Sequence, residues 1–114
     1  MKIAITAKDQ KLDAEVDPRF GRCGNFLFVD TETMEFKSFE NEAKDAPSGA
    51  GVQSAQFVVD KDVDALLTGR VGPKALRGLK AGNQKIYTGL SGTVAQAIEQ
   101  FKNNELEELV EEEV

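Results

Sequence analysis

The apolar positions fall into short β-like runs at the start of the chain and helical stripes toward its end. Ile3-Ala4-Ile5 is an apolar run suited to a central strand, placed at Lys2–Thr6. Phe26-Leu27-Phe28-Val29 is aromatic and β-branched, a second strand, and Phe36–Phe39 reads as a third. Between them Asp30–Glu35 is polar enough to turn the chain, which makes the pair a hairpin. After the loop Asn41–Gly51 the period changes. Val52, Ala55, Val58 and Val59 recur at helical spacing and predict a helix over about 50–61. Val63–Thr68 reads as a buried strand. Pro73 opens a second helix bearing Ala75, Leu76 and Leu79, and Gly82 stops it. Ile86–Thr88 is a short fifth strand. Thr93 with Gln96 forms a capping-box pair, and Val94, Ala97, Ile98 and Phe101 follow at i, i+3, i+4 and i+7, ending at Asn103-Asn104.

The order β-β-β-α-β-α-β-α predicts an α/β domain with a mixed five-stranded sheet and helices on both faces. Right-handed crossovers put the two later strands on one side of the first strand and the hairpin on the other. A chain of 114 residues, 40% hydrophobic, suits one domain with one adequate core. The domain is assigned to 1–104.

Charge sharpens this division. The net charge is −6, yet Glu105–Val114 alone holds six glutamates and no lysine or arginine. The remaining residues carry 14 acidic and 14 basic side chains. The excess is therefore an acidic tail over 105–114. Leu106, Leu109 and Val110 fall at helical spacing there, so the tail either extends the last helix or frays; like-charge repulsion favours fraying. A balanced body lacks the basic excess of a duplex nucleic-acid binder. No apolar run approaches the roughly 18 residues of a membrane span, and no leader with a cleavage site opens the chain. With a single cysteine and therefore no internal disulfide, a cytoplasmic protein is expected.

One stretch concentrates unusual chemistry. Asp17-Pro18-Arg19-Phe20-Gly21-Arg22-Cys23-Gly24 holds two of the four arginines, the sole cysteine, two glycines and a proline. Its composition predicts a shaped loop pinned to the core by Phe20 and Phe26. The other arginines, Arg70 and Arg77, flank the turn Gly69-Arg70-Val71-Gly72. Ligands of such sheets sit beyond the carboxyl ends of the strands. The loops Gly21–Gly24, Gly49–Gly51 and Gly69–Gly72 are candidates to lie there, with Gly89–Gly92 as a fourth. If they meet, Arg19, Arg22 and Arg70 form a cationic rim suited to carboxylate, phosphate or another anion. Cys23 is the only soft ligand on offer, at that rim's edge. Without histidine there is no imidazole ligand and no histidine-centred triad. A thiol enzyme built on Cys23 lacks a base. Asp9, Asp13, Asp17 and Asp30 read as a solvated loop face rather than a magnesium site.

The start Met1-Lys2-Ile3-Ala4-Ile5, the Phe20-Gly21-Arg22 element with Phe26 and Asp30, Gly49-Ala50-Gly51, and the run Asp64–Ala75 with its Gly69-Arg70-Val71-Gly72-Pro73 turn together resemble the dinitrogenase iron–molybdenum cofactor biosynthesis family. The resemblance covers nearly all of Met1–Leu106. It implies a ribonuclease H-like α/β/α fold with sheet order 3-2-1-4-5 and strand 2 antiparallel. It also implies a non-enzymatic role in carrying an iron–sulfur cluster or iron–molybdenum cofactor precursor, with a cofactor-assembly protein as donor or acceptor. The expected site comprises Arg19, Phe20, Gly21, Arg22, Cys23, Gly49, Gly51, Gly69, Arg70 and Gly72, with Cys23 as the metal ligand, in a monomer or weak homodimer. The competing expectation is a metal-free regulatory domain that binds a small anion or nucleotide.

Overall fold

A computed structural model of the chain describes residues 1–109. Its elements are β1 (Lys2–Ala7), β2 (Asn25–Asp30), β3 (Phe36–Glu40), α1 (Ala50–Asp60), β4 (Ala65–Leu67), α2 (Pro73–Ala81), β5 (Lys85–Tyr87) and α3 (Val94–Lys102). They form one sheet in the order β3-β2-β1-β4-β5. β2 runs antiparallel to both its neighbours, whereas β1, β4 and β5 are mutually parallel. The ribonuclease H-like arrangement predicted above is thus present, strand order and antiparallel β2 included.

The alternation of side chains along the strands builds two cores. Ile3 and Ile5 of β1, Leu27 and Val29 of β2 and Ala65 and Leu67 of β4 pack beneath Val94, Ala97 and Ile98 of α3. Ala4, Phe26 and Leu66 face the opposite way, against Ala55 and Val58 of α1 and Leu76 and Leu79 of α2. β1 is covered on both sides, so it reads as a continuous apolar run instead of alternating with polar residues.

Hydrogen bonding fixes the third helix as its sequence implies. The Thr93 hydroxyl accepts from the Gln96 N–H at 3.1 Å, and the Gln96 side chain accepts from the Thr93 N–H at 2.9 Å. Three of the four stripe residues are buried, but Phe101 is only half-buried and meets Tyr87 edge-on with ring centroids 5.2 Å apart. Ile98, not Phe101, is the large side chain that anchors this helix in the core.

The chain beyond α3 neither lengthens the helix nor leaves the domain at once. Leu109 donates its N–H to the Ile86 carbonyl at 2.7 Å, and Glu108 bridges antiparallel to Tyr87. Leu106 and Leu109 pack against the two cores. Glu108 and Leu109 thereby cover the outer edge of β5. Val110, the third apolar position read in the tail, lies outside the described residues. Among the described residues no helix is long and apolar enough to cross a membrane.

Candidate functional site

Two segments far apart in sequence meet at the carboxyl end of the sheet. Arg19 and Arg70 pair in a parallel backbone bridge, and the Phe20 N–H donates to the Arg70 carbonyl at 3.1 Å. Contact this close depends on Gly69: a Cβ there would stand 2.6 Å from the Pro18 carbonyl oxygen and 2.9 Å from its carbon. Gly21 is equally constrained, since its Cβ would lie 2.8 Å from Gly51 Cα. Glycine is used at both positions because backbone approaches backbone.

Asp17 holds the loop from within. It is 2% exposed, and its carboxylate accepts from the backbone N–H groups of Arg19 and Gly24, both at 3.1 Å, and from the Arg19 Nε at 3.4 Å. Its carbonyl accepts from the Thr6 hydroxyl at 2.7 Å. The carboxylate read as part of a solvated face is a buried organiser, as a charge inside a protein must be when paired and hydrogen-bonded. Behind the loop the Gly21 carbonyl accepts from the Asn41 amide at 3.0 Å and the Ser54 hydroxyl at 3.1 Å. Arg22 donates from Nη1 to the carbonyls of Lys44 at 2.8 Å and Ala46 at 3.1 Å, tying the Asn41–Gly49 loop to the arginine loop.

The result is an open cleft of about 820 Å³. Arg19, Phe20, Gly21, Arg22, Gly49, Gly51, Arg70 and Gly72 all line it, as do Lys74 and Arg77. The first turns of α1 and α2 both open into it at Ala50 and Pro73. Five cationic residues and two helix N-termini therefore border one space, and among the described residues no acidic one lines it. Gly69 stands behind the wall in contact with Pro18, and the Gly89–Gly92 loop is not part of it.

Cys23 is not at the rim. It is fully buried, with the Asn41 amide 3.7 Å from its sulfur, and it packs with Phe20 and Phe26 in the core under α1 and α2. Burial, helped by the Asp17 carboxylate, pushes its thiol up from the ordinary value of 9.0 to about 12. A thiol so disposed packs as a core side chain and is not presented to the cleft. Gly21 and Arg22 line the cleft, and the next residue, Cys23, turns its side chain to the core. Among the described residues no three histidine, cysteine, aspartate or glutamate side chains converge as a metal site.

Sequence reasoning passed over Lys74 and, as a site residue, Arg77. Their spacing of three from each other, at the second and fifth positions of α2, was the available signal, since it places both on one flank. Asp17, Asn41 and Ser54 carried no signal: each acts through contacts between segments distant in sequence.

Known proteins share this architecture and sequence. The family described as dinitrogenase iron-molybdenum cofactor matches residues 1–104. An uncharacterized protein of Methanocaldococcus jannaschii is 31% identical over 110 residues, 94% of this chain and 90% of that protein. Among solved structures, the apo form of the orange protein from Desulfovibrio gigas superposes with a TM-score of 0.92 at 38% identity, covering 96% of this chain and 92% of its own. A NifB-like protein of Thermotoga, placed in the DUF35 family, gives 0.84 at 35% identity, with 99% and 97% covered.

Proposed function

Because the chain belongs to the dinitrogenase iron-molybdenum cofactor family, we propose that it is a non-enzymatic carrier. It holds an anionic iron–sulfur metallocluster, or a precursor of the iron–molybdenum cofactor, in the arginine cleft. The observation that supports this most is the composition of the cleft wall: five cationic residues, two helix N-termini and, among the described residues, no acidic side chain. Sulfide-rich clusters are often anionic, and guanidinium groups and backbone N–H groups offset that charge.

The composition of the wall also supports an outer-sphere manner of binding. Its side chains are arginine, lysine, phenylalanine, valine, alanine and proline, with glycine backbone between them. Among the described residues none of the wall is a thiolate, imidazole or carboxylate that would enter a metal's coordination sphere. The cargo brings its own ligands and is held from outside by charge and hydrogen bonds. Such a hold is reversible, which suits transfer to or from an assembly protein in the cytoplasm. The orange protein structure is of the apo form, so a fold of this kind stands without a bound group.

The lack of coordinating groups among the described residues of the cleft wall equally favours a second reading: a metal-free domain that takes a small phosphate-like anion. Anaerobic titration separates the two. The carrier reading expects saturable binding of a synthetic thiolate-capped [4Fe–4S] dianion that inorganic phosphate displaces only weakly. Tight phosphate binding with no uptake of the cluster would favour the regulatory domain and contradict the carrier.

A further inference from the structure

What stands between the charges of the cleft narrows the kind of anion it takes. Among the described residues that border it, none is a serine, threonine, asparagine, glutamine or tyrosine. Ala50, Val52, Val71, Pro73 and Ala75 share the wall with the arginines instead. Val52 lies in the first turn of α1 and is 49% exposed, so a branched apolar side chain stands in water at the cleft's edge. Val71 is half-buried just ahead of α2 and packs against the core beneath. The two helices that open into the cleft start at Gly49 and Gly72, without a side-chain cap.

Phosphate contacts commonly add hydroxyl and amide side chains to their cations and backbone N–H groups. Those donors offset the hydration that a compact oxyanion gives up. Here such an anion would lose water against valine, alanine and proline and gain no hydroxyl or amide side chain in exchange. A large, charge-diffuse anion gives up less water, and it covers apolar surface that is otherwise exposed. Guanidinium is itself weakly hydrated, which suits it to the same partner.

We propose that the cleft selects weakly hydrated, charge-diffuse anions over compact oxyanions of equal charge, and that Val52 and Val71 set this preference. The preference rests on the reading of the cleft as an anion site. It separates charge from selectivity: the arginines attract any anion, and the valines decide which one stays.

Thiosulfate and sulfate test this, because both are tetrahedral dianions and differ by one sulfur in place of one oxygen. Each is titrated at constant ionic strength while the amide signals of Gly51, Val52, Val71 and Gly72 are followed. The parent should bind thiosulfate about threefold to tenfold more tightly, the worth of covering part of one valine side chain. Val52→Ser, at an exposed position, should keep the parent's thermal midpoint and bring the ratio down at least twofold; V52S/V71S should bring it close to one. A parent ratio of one overturns the preference. A ratio unchanged in the folded variants overturns the role of the valines. The synthetic [4Fe–4S] dianion is titrated in parallel. If it does not bind while thiosulfate is still preferred, the carrier reading falls and the preference stands. If neither small anion moves these signals, the preference falls, and the cluster titration alone decides the carrier reading.

Discussion

Arg19 and Arg70 face each other across a parallel backbone bridge, and this pairing assembles the cleft. The bridge is made of main-chain atoms, with the Phe20 N–H on the Arg70 carbonyl. Side-chain charge and loop geometry are therefore separable. Arg70→Ala should unfold in chemical denaturant within about 0.5 kcal/mol of the parent, as exposed substitutions away from special contacts do. A loss of several kcal/mol would show that the guanidinium itself holds the loops together.

The glycines of the same turn should behave oppositely. Gly69→Ala drives a Cβ into the Pro18 backbone and should cost roughly 1–3 kcal/mol or more, as overpacking does, while displacing the arginine loop. A Cβ at Gly72 meets nothing within 4 Å, and its φ of −73° suits any residue, so Gly72→Ala should be nearly neutral. Thermal unfolding of both variants checks this; equal midpoints would contradict the close approach.

Cys23 supplies a pH dependence with a definite sign. Its thiol stays neutral in the folded chain up to about 12 but ionises near 9.0 once unfolded. Its contribution to stability is complete below pH 9 and is lost as pH rises from about 9 through about 12. Cys23→Ala should flatten that part of the profile. Alkylation of the native chain at pH 8 should be slow and should accelerate on unfolding; rapid native modification would mean that the thiol is reachable.

Truncation separates the two parts of the tail. Removing everything after Asn104 strips Leu106, Leu109 and the edge bond to Ile86, and should cost roughly 1.5–3 kcal/mol for two half-buried leucines. The tail's composition alone suggests a loss of about 1 kcal/mol or less. Stopping after Leu109 should leave stability nearly unchanged. Urea unfolding of the two truncations distinguishes these expectations, and equal midpoints would show that Glu105–Leu109 adds nothing.

The parts of the molecule that were legible in sequence are those fixed by local pattern. The Thr93–Gln96 box and the Val94–Ala97–Ile98 stripe define α3, and the Gly72–Pro73 step starts α2. The convergence of the arginine segments followed from topology, because both lie at carboxyl ends of strands in one sheet. Two pairs of residues resisted for opposite reasons. Cys23 and Asp17 sit in a polar loop whose composition suggests exposure, yet Phe20, Phe26 and the Gly24 and Arg19 N–H groups draw them inside. Leu106 and Leu109 are sparse among glutamates, but an uncovered edge of β5 offers them a partner that no helical period predicts.

Binding of the synthetic [4Fe–4S] dianion to the parent chain, Arg70→Ala and Cys23→Ala, measured anaerobically at low and high salt, tests the carrier cleft most directly. The outer-sphere account predicts that Arg70→Ala weakens binding by about threefold to tenfold at low salt, roughly the worth of one charge-assisted contact. It predicts that high salt weakens the parent's binding and that Cys23→Ala binds as the parent does. Binding lost with Cys23 but indifferent to Arg70 and to salt would contradict it.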